Sequence, residues 1–333
     1  MTMENNEYYH FVEDENELRF FFDHVLLNLQ GNKFTSYLMC IATRAKKLTE
    51  EERKYYGISG SDGVMMREEV IGTRGPKGDW TFANFLQHLY KYECNKKGML
   101  TRNGMPYPDK TLSVLFHCDP ADEVKVANAL ISAGQQIQIE SVDAQYRAVQ
   151  FGDTAGMKSQ MEKLANFTHR NKSLHASVDV KMPDGRRLNT TIKTYVHFDF
   201  DMRDDLVGNE KAVNEAKSVL HTCGLELYGK GNFFIIQTRG GFHVLVKRTA
   251  LANAVTYIKS FTEEERKEKF GITSKSLDPI HAYEWLVEDN YSYTFSEKEG
   301  DKEKVHDQVF VPLPGTLQYG SYVPRIVNKE DFE

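Results

Sequence analysis

Residues 194–201 read Thr194-Tyr195-Val196-His197-Phe198-Asp199-Phe200-Asp201. Aromatic and β-branched residues dominate the stretch, which predicts a strand. Side chains on a strand alternate between its faces. His197, Asp199 and Asp201 therefore share one face, and Val196, Phe198 and Phe200 share the other. Asp199 and Asp201 stand about 6.5–7 Å apart along such a strand. Two carboxylates held that close repel each other, and a divalent cation between them relieves the repulsion. A metal-binding Asp-x-Asp at the exit of a core strand is one reading. An exposed acidic strand end is the other.

A second stretch lies downstream. Phe233-Phe234-Ile235-Ile236-Gln237-Thr238 predicts a core strand, Arg239-Gly240-Gly241 a tight turn, and Phe242-His243-Val244-Leu245-Val246-Lys247 the returning strand. Glycines at such a turn allow φ > 0 and close approach of a ligand. Thr238, Arg239, His243 and Lys247 supply a hydroxyl, a guanidinium, an imidazole and an ammonium, a set suited to a polyanion. A third stretch, His306 to Gln318, carries Asp307 ahead of the turn Leu313-Pro314-Gly315-Thr316. On its residues alone it is a terminal strand and loop.

The rest of the chain is less specific. Helical spacing predicts helices over 15–30, 80–92 and 155–167, and over 209–223 with Gly224 as its end. Further helices are predicted near 249–261, 262–270 and 278–289. Asp119-Pro120-Ala121-Asp122 predicts a helix start, with the helix closing at Gly134. Residues 37–42 and 112–118 predict strands, and 58–75 a loop with one short strand. The basic run at 43–47 is either a solvated turn or a phosphate contact. Residues 169–193, with Arg170, Lys172, Arg186 and Arg187 around Pro183-Asp184-Gly185, are either a solvated hairpin or a nucleic-acid-facing one.

Composition sets bounds. A chain of 333 residues with 40% hydrophobic and 27% charged residues is that of a globular protein. No apolar run is long enough to span a membrane. The acidic N-terminus lacks an apolar signal core. Cys40, Cys94, Cys118 and Cys223 show no Cys-x-x-Cys spacing and predict free thiols in a reducing compartment, a bacterial host cytoplasm or its equivalent. The net charge of −6 argues against a nucleic-acid-binding surface over the whole protein but leaves room for a local basic groove.

The order of these stretches resembles the archaeo-eukaryotic primase superfamily, in particular primase-polymerases of phage and mobile-element type. Its first motif is Asp-x-Asp after apolar residues, matched by His197-Phe198-Asp199-Phe200-Asp201. Its second is a small residue, any residue, then His, matched by Gly241-Phe242-His243. Its third is an acidic residue before an LPGSLH-like turn, matched in part by Leu313-Pro314-Gly315-Thr316-Leu317-Gln318. Gln318 stands where cellular members have His, and Pro312 where they have a basic residue, a charge that Arg325 supplies in this reading.

The resemblance implies an α+β fold: an N-terminal αβ module over 1–185 and an RRM-like antiparallel catalytic module over 186–333. It implies a DNA primase-polymerase that adds nucleotides from triphosphates to a primer on a single-stranded DNA template, with a replicative helicase as a candidate partner. Two Mg²⁺ or Mn²⁺ ions would be held by Asp199, Asp201 and a third carboxylate, Asp307 or its rival Asp278. Thr238, Arg239, Gly241, His243, Lys247 and Arg325 would contact the nucleotide. The altered third motif keeps open a non-catalytic nucleotide- or nucleic-acid-binding module, and the carboxylates a metal-dependent phosphohydrolase.

Overall fold

The computed structural model describes residues 9–29, 35–58, 64–73, 81–92, 96, 100–170, 179–181, 187–189, 192–270, 282–296 and 310–332. Helix α1 (Glu15–Phe21) is capped by Asp14, whose carboxylate accepts from the backbone of Asn16 and Glu17. A π turn over residues 22–26 continues it. Strand β1 (Thr35–Thr43) leads to α2 (Glu50–Tyr56), which opens on a Thr49–Glu52 capping box. Then come β2 (Val64–Thr73), α3 (Phe82–Tyr92), β3 (Leu112–His117) and β4 (Ala121–Asp122). Helices α4 (Glu123–Phe151) and α5 (Thr154–Arg170) form a hairpin, and β5 (Asp179–Lys181) pairs with β6 (Arg187–Asn189).

The Asp-x-Asp stretch is β7 (Tyr195–Asp201), followed by α6 (Glu210–Tyr228), β8 (Phe233–Gln237) and β9 (Gly241–Lys247). Helices α7 (Arg248–Lys259), α8 (Glu263–Phe270) and α9 (Ala282–Tyr291) precede β10 (Phe310–Pro312) and β11 (Arg325–Ile326). The fold is therefore mixed α+β with two antiparallel sheets, apart from the β5–β6 pair. One sheet runs β10-β3-β1-β2, with β4 also on β1; the other runs β11-β8-β9-β7. Among the described residues, no helix is long and apolar enough to cross a membrane.

Three expectations need correction. Residues 64–73 form a full strand rather than a short one, paired with β1 through two irregularities in register. The helix after Asp122 does not stop at Gly134. Ala133 and Ile137 are buried, and Gln160 of α5 donates to the Ile137 carbonyl at 3.2 Å, so tertiary packing carries the helix past a residue that weakens it by about 1 kcal/mol. It ends at Gly152, with φ at 72°. Helix α6 likewise passes through Gly224. A Cβ there would stand 2.4 Å from the Phe233 ring, so this glycine serves helix–strand packing and does not end the helix.

The two sheets share one core. Met39 and Ile41 of β1 and Leu112, Val114 and Phe116 of β3 pack with Leu18, Phe21 and Val25, and Tyr195, Phe234, Ile236 and Leu245 of the second sheet join the same cluster. The other face of the second sheet, with Phe198, Phe200, Phe233, Ile235, Val244 and Val246, packs against α6, α7 and α9. Strand β10 belongs by sequence to the C-terminal half, yet it pairs with β3 in the first sheet. The division at 185/186 therefore does not separate the hydrogen bonding of the two halves.

The turn after β10 is a staple. Gly315 (φ 81°) accepts from the backbones of Glu13 and Asp14 at 3.0 Å each and donates to Pro324. A Cβ on it would lie 2.4 Å from the Asp14 carbonyl oxygen. Glu17, buried, accepts from the Ile326 amide at 2.7 Å and from Lys329 at 2.5 Å.

Candidate active site

Strand β7 lies at the edge of its sheet, beside β9. The register sets Asp199 opposite His243, Asp201 opposite Gly241 and His197 opposite Leu245. Opposed residues in an antiparallel pair share a face. The face is split along its length. At the Tyr195 end it is apolar and buried, through Tyr195, Leu245 and Phe234. At the Asp201 end it is polar and open: Asp199 keeps 42% side-chain exposure and Asp201 is exposed, while His243 keeps only 16%.

Three side chains meet there. His197 Nε2 lies 2.7 Å from His243 Nδ1, with the rings nearly parallel, and Asp199 Oδ1 lies 3.6 Å from the same Nδ1. One proton is shared between the two imidazoles. If His197 donates it, His243 is an acceptor at Nδ1 and its own proton sits on Nε2. A second proton on His243 would make the Asp199 contact an ion pair. The sequence put His197 on this face without a role. Its contact with His243 depends on β7 lying beside β9, which no local pattern states.

Backbone contacts fix the open end. The Met202 amide donates to the Gly240 carbonyl at 2.8 Å, which ties the exit of β7 to the hairpin turn. The Asp201 carbonyl accepts from the amide and hydroxyl of Ser296. The Arg203 guanidinium spans both carboxylate oxygens of Asp205 at 3.1 and 3.0 Å and donates to the Tyr293 carbonyl.

The hairpin glycines do not supply the positive φ expected of them. Neither Gly240 nor Gly241 has positive φ. A Cβ on Gly241 would stand 1.9 Å from the Phe200 carbonyl oxygen, so its role is close approach of β9 to β7. Gly240 faces open space, where a Cβ would meet no atom of the described residues within 4 Å.

The other expected nucleotide contacts divide. Arg239 is exposed at the tip of the turn. Thr238 closes the turn, with its amide and hydroxyl both donating to the Gly241 carbonyl at 2.9 and 3.1 Å. Lys247 shares the face of His243 but stands at the far end of β9, opposite Tyr195, and donates to the Gly231 carbonyl at 2.9 Å. Arg325 pairs with Gln237, which pairs with Phe242, so its position belongs to the opposite face. Gln318 is buried and donates to the Val114 carbonyl at 2.9 Å, which makes it a fastener between the turn and β3. Asp307 and Asp278 lie outside the described residues.

Asp199 and Asp201 offer the hard oxygen donors that Mg²⁺ or Mn²⁺ takes. Among the described residues, no group of three side chains is arranged as a metal site. Comparison with family models, with curated proteins and with solved structures gave no match.

Proposed function

We propose that the chain is a nucleotidyltransferase of the archaeo-eukaryotic primase type, a primase-polymerase acting on single-stranded DNA with nucleoside triphosphates. The observation that carries this reading is the juxtaposition of Asp199 with His243 on paired strands, with Asp201 two residues along the same face. The first two motifs of the resemblance thus fall on one surface. The sheet adds support for an RRM-like reading: β7 and β8 both run antiparallel to β9, which lies between them, as in a split β–α–β unit. Strand β11 adds to it beside β8.

In this reading Asp199 and Asp201 hold the divalent cations, with Asp307 or Asp278 as the third carboxylate. When bound, the ions supply activation of a primer 3′-hydroxyl and charge neutralisation at the triphosphate. His243 donates to a phosphate oxygen, its tautomer set by His197. Arg239, at the turn tip, adds a guanidinium to the same anion. Catalysis of this kind is positioning and electrostatics.

Primer extension on a single-stranded template with Mn²⁺ tests the reading. Asp199→Ala and Asp201→Ala should each lose synthesis by at least about a thousandfold, with the thermal melt unchanged. Extension at the parent's rate by either variant would sink the assignment. A second reading, a binding module without catalysis, is favoured by the engagement of Lys247 with Gly231 and by the position of Arg325 on the opposite face, which take two expected groups out of the site. Calorimetry separates the two, because only the first requires Mn²⁺-dependent triphosphate binding.

A further inference from the structure

Helix α4 is apolar on two opposite sides. Val126, Ala129, Ala133 and Ile137 are buried on one of them. The other carries Val124, Ile131, Ile139, Val142, Tyr146 and Val149, all exposed, with Ile139 at 70% and Val149 at 81%. A helix that packs on one neighbour has one apolar stripe and a polar outer face. The outer stripe of α4 has no such counterpart on the described surface, and it is long. From Val124 to Val149 it runs about 37 Å at 1.5 Å per residue.

The stripe has a pairing pattern. With Asn128 and Gln135 included, its residues follow at intervals of 4, 3, 4, 4, 3, 4 and 3. Alternating threes and fours are the seam of paired helices, and one repeated four in the middle unwinds the supercoil locally. Six of these eight seam positions are apolar, and the others are uncharged amides.

We propose that α4 pairs with α4 of a second copy of this chain, antiparallel, about a two-fold axis at the level of residue 137. The spacing fits that axis. Val124 falls beside Val149, Asn128 beside Tyr146, Ile131 beside Val142 and Gln135 beside Ile139, so every seam position meets another. The tyrosine hydroxyl and the Asn128 amide give each other polar partners. Charge agrees as well. Gln138 and Gln145 flank the seam on one side. On the other, the axis sets Lys125 beside Gln150 and Ser132 beside Asp143, so no like charges face each other. Asp143 is neutralised within its own helix by Arg147 at 2.6 Å. The antiparallel arrangement also puts the two protein bodies, each joined to α4 at its N-terminal end through β4, at opposite ends of the pair. The contact is isologous and closes on itself.

Sedimentation velocity on the full chain at tens of micromolar tests this. The parent should sediment as a dimer. Val142→Glu should raise the dimer dissociation constant by about a hundredfold, without changing the melting temperature, because Val142 is a surface residue. The double variant Ile131→Cys with Val142→Cys should form a disulfide-linked dimer on oxidation, and neither single variant should. A monomeric parent, or a dimer that survives Val142→Glu, overturns the proposal. Cross-linking by Val142→Cys alone overturns it too, since it means that the helices run parallel.

Discussion

Two of the histidine–aspartate clusters among the described residues differ in almost everything but composition. On β7 and β9, His197, His243 and Asp199 meet on an open face. At the end of β3, His117 and Asp119 are buried with no exposed surface, and Lys193 reaches Asp119 at 2.8 Å. His117 Nδ1 accepts from the Asp119 amide at 3.1 Å, while His117 Nε2 and Asp119 Oδ1 have no hydrogen-bond partner among the described residues. Burial pushes His117 down to about 4, so it stays neutral, and burial raises Asp119 even though Lys193 opposes the shift. Access to solvent is what suits the first cluster to the chemistry proposed for it and the second to a structural part. His117 and Asp119 present no surface to a substrate. Their cluster fastens the segment entering β7 to the end of β3, where the Ile192 amide also donates to the Pro120 carbonyl at 2.9 Å.

The largest expected effects separate the clusters by readout. Asp199→Asn should remove at least about 4 kcal/mol of transition-state stabilisation, on the scale of losing a major electrostatic contact, and leave the melting temperature in place. Lys193→Met should do the reverse. Lys193 is only half-buried, but Asp119 is buried, and removing its cation leaves that charge unpaired at a cost of about 3 kcal/mol. Urea denaturation at neutral pH measures that loss, and the loss should shrink in acid, where the carboxyl of Asp119 takes a proton. A Lys193→Met variant as stable as the parent would mean that Asp119 is not held as an anion.

Acid distinguishes the clusters next. Below about pH 6.5 an unfolded chain takes a proton at His117 that the folded chain refuses until about pH 4. Stability should therefore fall with pH across that window, by about 3 kcal/mol at its lower end. Asp119 works in the opposite direction, because its raised value lets the folded chain take up a proton early. His117→Asn keeps an acceptor for the Asp119 amide and removes the titration. Its denaturation midpoint should lose the parent's acid slope between neutral pH and about pH 4. An unchanged slope would place the acid sensitivity elsewhere.

The two clusters were unequally legible in the sequence. Period two put His197, Asp199 and Asp201 on one face and His243 on the same face as Lys247, and the register bears out both. It could not say that Lys247 lies at the closed end, since alternation gives a face and not a neighbour. Strands β1 and β3 were readable from local residues. Strand β2 was readable only as a short strand, because Arg67, Glu68 and Glu69 interrupt its apolar alternation, as charges do on an edge strand. The buried cluster had no signal at all. His117, Asp119 and Lys193 are ordinary polar residues until the link between the sheets brings position 193 to position 119.

The smallest effect concerns a residue that the resemblance placed near chemistry. Gln318 is where a third-motif histidine would stand, yet its amide nitrogen lies 2.9 Å from the Val114 carbonyl and 3.3 Å from the Thr316 hydroxyl, within the buried staple. The Val114 carbonyl also accepts from the Leu313 amide at 3.0 Å, so losing Gln318 leaves it one partner. Gln318→Leu, close in volume, should therefore cost only about 1 kcal/mol of stability, read as a small fall in the urea midpoint. Synthesis by the variant at its folded concentration should match the parent. If synthesis instead falls as far as in Asp199→Asn while stability holds, the third motif acts at the β7–β9 face, and the division between an open chemical cluster and closed structural ones fails at this turn.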